Sequence, residues 1–64
     1  MYRAIFWSPF ADFDYNRWLN AHGLQQVARS RHFLAVDGQR DAIHNFEQES
    51  SLELREVISL GMIQ

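Results

Sequence analysis

Sixty-four residues with no cysteine and a formal net charge of −2 make a single small domain that neither a disulfide nor a thiolate–zinc site can stabilise. No apolar run approaches the roughly 18 residues of a membrane span, and the N-terminus lacks the apolar stretch and small-residue cleavage site of a secretory signal. A cytoplasmic protein, of the producing cell or of a viral host, is the expectation, and the negative balance argues against binding dominated by phosphate contacts.

Tyr2–Trp7 is a run of β-favouring residues halted by Ser8-Pro9, which reads as a first strand followed by a helix start. Ser8 suits the cap, Pro9 the first turn, and Asp12 and Asp14 the positive end of the helix dipole. Ala11, Tyr15, Trp18, Leu19 and His22 recur at helical spacing, so a helix is expected over about 9–22, closed by Gly23. Leu24–Val36 is long for one strand of so small a domain, and two strands with a turn at Arg29-Ser30-Arg31 fit better. That turn lacks the Gly, Asn or Asp that short hairpins prefer. Asp37-Gly38 is a strong stop. Ala42, Ile43 and Phe46 mark one face of a second helix over about 39–49, and Leu52–Leu60 reads as the last strand. The apolar tail Gly61-Met62-Ile63-Gln64 is expected to pack back or to meet a partner.

The order β-α-β-β-α-β is that of the ferredoxin-like split βαβ arrangement: a compact α+β two-layer sandwich of one domain, residues 1–64, with both helices on one face of an antiparallel sheet. Period-two alternation assigns the two faces. Ala4, Phe6, Ala28, Leu34, Val36, Leu54 and Ile58 are expected beneath the helices. Arg3, Ile5, Trp7, Val27, Arg29, Arg31, Phe33, Ala35, Arg55 and Val57 are expected on the open side. An open face mixing large apolar groups with guanidiniums marks an interaction surface. Its anchors are Trp7 and Phe33, with Ile5 beside them and Arg3, Arg29, Arg31 and Arg55 as the rim.

Such a face points to contact with another protein, because Trp, Phe and Arg are enriched at interfaces. Homodimerisation is the first alternative, since a chain this short gains stability by burying the patch. Weak single-stranded nucleic-acid binding is the second. The topology resembles that of RNA-recognition motif domains, in which bases stack on aromatics of the two central strands, and Trp7 and Phe33 take roughly those places. Arg31-His32-Phe33-Leu34-Ala35-Val36 nevertheless lacks the glycine and second aromatic of that family's third-strand motif.

No catalytic pairing emerges. Asn16-Arg17 resembles the phosphate-binding Asn and Arg of acylphosphatase-type enzymes, yet Ser8-Pro9-Phe10-Ala11 stands where their glycine-rich cradle would be. His22, His32 and His44 lack metal-ligand spacing, and Glu47, Glu49, Glu53 and Glu56 read as a solvated acidic edge. The expectation is a non-catalytic binding domain without cofactor or metal, acting through its open sheet face or an edge strand. A small regulator or inhibitor of the kind that phage and mobile elements encode fits that description.

Overall fold

A computed structural model describes residues 1–61; the expected packing of Met62-Ile63-Gln64 lies outside the described residues. Six elements follow the anticipated order: β1 (Tyr2–Trp7), α1 (Asn16–Ala21), β2 (Gln25–Arg29), β3 (Phe33–Gly38), α2 (Arg40–Ser50) and β4 (Glu53–Ser59). The strands form one sheet in the order β2-β3-β1-β4, with every neighbouring pair antiparallel. This is the ferredoxin-like sandwich.

The hairpin between β2 and β3 turns through Ser30-Arg31-His32, closed by the Ser30 N–H donating to the Phe33 carbonyl at 3.0 Å. Among the described residues only Ser51 and Gly23 have positive φ. The turn therefore uses backbone conformations open to any residue, and needs no Gly, Asn or Asp.

Alternation places Ala4 and Phe6 of β1 and Leu34 and Val36 of β3 under the helices, where they are fully buried with Tyr15, Leu19, Ile43 and Phe46. Phe46 is the hub of this layer. Its ring meets those of Phe6 and Trp18 edge-on at 5.4 Å, His22 at 5.7 Å and Tyr15 at 6.3 Å. Edge-to-face pairs of this kind add to the stabilisation from area burial. In a chain with so little interior, these buried rings join an aliphatic set of Leu19, Leu24, Leu34, Val36, Ile43 and Leu52 in one core.

Helix α1 ends as expected. The Gly23 N–H donates to the Asn20 carbonyl (3.1 Å) and the Leu24 N–H to the Leu19 carbonyl (2.8 Å). That is a Schellman closure with glycine in the left-handed region, φ 73°. Gly38 is needed for a different reason. It is buried at the end of β3, and a Cβ there would run into Leu24 Cδ2.

The start of α1 corrects the expectation of a helix over 9–22. The helix begins only at Asn16, and Ser8 does not cap it. The Ser8 hydroxyl is buried, shares a 2.6 Å hydrogen bond with the Tyr15 hydroxyl, and accepts from the Phe10 N–H at 3.1 Å. In a continuous helix the carbonyls of Phe10, Ala11 and Phe13 would accept from N–H groups four residues on. Instead they accept from Arg29 Nη2, reaching across from β2, at 3.0, 3.4 and 3.0 Å. A guanidinium has taken the place of a helical turn. Asp14 then supplies the local start, its Oδ1 accepting from the Asn16 N–H at 2.9 Å.

Candidate protein-contact site

On the face away from the helices, Trp7 of β1 lies directly opposite Phe33 of β3, and Ile5 opposite Ala35. Period-two alternation on two central strands positions these four side chains together. Phe33 is 42% exposed. Trp7 is half-buried, because the His32 ring stacks on it at 5.9 Å. His32 is itself fixed by its Nδ1–H donating to the Ser8 carbonyl at 2.9 Å. The β2–β3 turn thus braces the aromatic pair from the side. A shallow hollow of about 250 Å³ lies beside the pair, lined by Ile5, Ala28, Arg29, Ser30, Phe33 and Ala35.

Two β-bulges redraw the edges of this face. In β2, Gln26 pairs with Val36 and Ala28 with Ala35, leaving Val27 as the extra residue. Ala28 is consequently on the open face beside Ala35, whereas Arg29 pairs with Leu34 and turns to the helix side. Both placements reverse the alternation expected from the sequence. In β4, Ile5 pairs with Glu56 and Phe6 with Leu54, leaving Arg55 as the extra residue. Beyond it the faces exchange. Val57 pairs with Ala4 on the helix side and Ile58 with Arg3 on the open side, the reverse of the expected assignment.

The expected arginine rim is largely neutralised or displaced. Arg3 makes a two-pronged contact with Asp37, its cross-strand partner: Nε donates to Oδ1 at 2.7 Å and Nη2 to Oδ2 at 2.9 Å. This hydrogen-bonded pairing holds the Asp37 carboxyl below the usual carboxylate range and raises the Arg3 guanidinium further above its ordinary value. Arg55 Nε lies 3.5 Å from Glu53 Oε2. Arg29 is engaged with the Ser8–Tyr15 segment, where it also lies 5.3 Å from the centre of the Tyr15 ring. Arg31 stands exposed in the hairpin turn. The structure thus brings Trp7, Phe33, Ile5 and Arg3 together on one face and moves Arg29 off it. What results is an apolar strip of Trp7, Phe33, Ile5, Ala35, Ala28 and Ile58 with nearly balanced charge.

A second apolar surface, which the alternation argument missed, is on the other side of the molecule. Phe10 and Phe13 are 62% and 49% exposed. With Tyr15, Trp18, Ser50 and Leu52 they line a groove of about 380 Å³ between the β1–α1 segment and the end of α2. The available signal was that both phenylalanines lie off the helical stripe of Ala11, Tyr15, Trp18, Leu19 and His22.

Among the described residues, no three His, Cys, Asp or Glu side chains gather as a metal site would require. His22 Nε2 lies 3.1 Å from Glu49 Oε1, linking α1 to α2. No helix of the described residues is long and apolar enough to cross a membrane. Comparison with protein-family models, curated proteins and solved structures finds no match. The element order and sheet define a ferredoxin-like α+β domain whose apolar sheet face is uncovered among the described residues.

Proposed function

We propose that the protein is a non-catalytic binding domain that docks a protein partner on its open sheet face, with Trp7 and Phe33 as anchors. The observation that carries this reading is the direct cross-strand pairing of Trp7 with Phe33 on a face that no helix of the described residues covers, extended by Ile5, Ala35 and Ile58. A contiguous apolar surface of this kind is the ordinary mark of a contact site, and its aromatics are pre-positioned, so little side-chain freedom is lost on binding.

Two further features favour the face over the other options. Both edge strands carry a bulge, and bulged edges resist strand addition. The pairing of Arg3 with Asp37 and of Arg55 with Glu53 leaves the face short of the free positive charge that a phosphate backbone requires. A small regulator or inhibitor remains the role in which such a domain fits, acting by occlusion of its partner.

The test is affinity capture from the source cell, comparing the native sequence with Phe33→Ala combined with Ile58→Ser. Both side chains are at least 40% exposed, so the double variant is expected to stay folded by circular dichroism and to lose the captured protein. A partner that is retained, or a native chain that captures none and instead forms dimers by light scattering, overturns the heterologous reading. Single-stranded oligonucleotide bound in preference to protein does the same.

A further inference from the structure

The groove lined by Phe10, Phe13, Tyr15, Trp18 and Leu52 is on the helix side, separated from the open sheet face by Arg29, which donates to the carbonyls of both Phe10 and Phe33, and it is independent of the reading above. We propose that it is a second docking site, and that its occupant is a basic peptide segment that inserts one bulky aliphatic side chain between flanking lysines or arginines.

Three observations converge on that occupant. The first is shape. Two phenylalanines stay largely exposed on a segment without helix or strand, and yet the segment is not loose. Arg29 binds three of its carbonyls and Tyr15 bonds Ser8, so the groove is already formed before a ligand arrives. About 380 Å³ between Phe10, Trp18 and Leu52 admits a leucine or isoleucine side chain with its neighbouring backbone.

The second is charge. Asp12 and Asp14 flank Phe13 in the chain and are exposed, and Glu49 stands exposed in the last turn of α2 beside Ser50, whereas Glu47 of the same turn lines a separate hollow with Leu54 and Val57. That turn holds no basic residue, so the negative end of the helix dipole adds to the same field. Glu49 is shared with His22. Against them stand exposed Arg17 and the guanidinium of Arg29, which keeps its charge while bonded to the Phe10 and Phe13 carbonyls and set over the Tyr15 ring. Three carboxylates therefore stand against two guanidiniums around the groove, where the sheet face is balanced.

The third is the chemistry of the walls. Aromatic faces attract cations as well as alkyl groups, so the aliphatic stems and charged heads of lysine or arginine gain contact here that glutamate cannot.

The experiment uses the full chain carrying Trp7→Phe, which leaves Trp18 as the single tryptophan and makes its emission a reporter of the groove. Three peptides are titrated, each with a central leucine flanked by lysine and arginine, by glutamine, or by glutamate. The basic peptide is expected to saturate the Trp18 signal at least ten-fold more tightly than the glutamine peptide, with affinity falling as salt is added, and the glutamate peptide to leave it unmoved. Asp12→Asn with Asp14→Asn is expected to reduce the basic peptide to the level of the glutamine one, and Phe10→Ser to abolish binding. Phe33→Ala is expected to change nothing, which separates this site from the sheet face. Equal affinity for all three peptides, or no binding, overturns the proposal. A Trp18 signal that shifts with the protein's own concentration also overturns it, because the occupant is then a second copy of the chain.

Discussion

The two strand-to-helix connections of this domain differ in how they are held. Between β3 and α2 the chain needs only Gln39, in extended conformation, before an eleven-residue helix begins. Between β1 and α1 the whole segment Ser8–Tyr15 intervenes, and the helix that follows is six residues long. The second connection obeys local rules: a stop at Asp37-Gly38, a regular helix, an apolar stripe turned to the core. The first is shaped by Arg29, a residue from a neighbouring strand, and it carries the most exposed aromatics of the layer. Regular structure supplies the core here, and the irregular connection supplies surface.

The sharpest way to break that division is at the hub that both halves share. Phe46→Ala removes a fully buried ring that touches both helices and the sheet. It is expected to lower stability by about 3–5 kcal/mol, close to the whole stability of so short a chain at about 3–10 kcal/mol. Urea unfolding should show a population already unfolded without denaturant. Gly38→Ala tests the short connection. Its added methyl meets buried Leu24, and a loss of about 1–3 kcal/mol is expected, read as a lower melting temperature with the sheet retained.

Arg29→Met tests the long connection. The loss is expected to be smaller, about 1–2 kcal/mol, and confined in place. Hydrogen exchange should rise across Ala11–Asn16 while α2 and the central strands stay protected. Uniform loss of protection would mean that the guanidinium holds the sheet rather than the segment, and the contrast between the two connections would fail.

The smallest effect is expected where β1 and β3 are tied together by Arg3 and Asp37. Because folding lowers the Asp37 carboxyl from its ordinary 3.8, its contribution is present above that value. It disappears as acid carries the pH down through the lowered native value. Asp37→Asn should therefore show its small loss of stability at neutral pH and flatten the acid limb, the variant and native curves converging as the pH falls, as measured by thermal melts between pH 2 and 7 at roughly 0.1 M salt.

Much of the fold could be read because its signals are local. Ser8-Pro9 ends β1, Gly23 ends α1, Asp37-Gly38 ends β3, and alternation alone carries Trp7 and Phe33 to one face. The errors occur where the deciding partner is distant in sequence. Ser8-Pro9 followed by Asp12 has the form of a helix start, and nothing nearby reveals that Arg29 will capture the next carbonyls. A bulge is equally silent. Val57 and Ile58 are both apolar, so alternation offers no preference for which turns inward, and only the register against Ala4 and Arg3 decides. The same holds at Val27-Ala28, where the slip carries Arg29 from the open face to the loop.

That slip has a consequence for how this domain can change. Arg29 grips main-chain oxygens, which every amino acid provides, so it makes no demand on the side chains at positions 10, 11 and 13. Phe13 also packs edge-on against buried Tyr15 at 4.5 Å, so positions 10 and 11 are the ones free to be rewritten while the segment keeps its path. Edge strand β2 thus serves as a fixed mount for an exchangeable surface, and descendants or redesigns can alter what the groove accepts at little risk to the fold beneath.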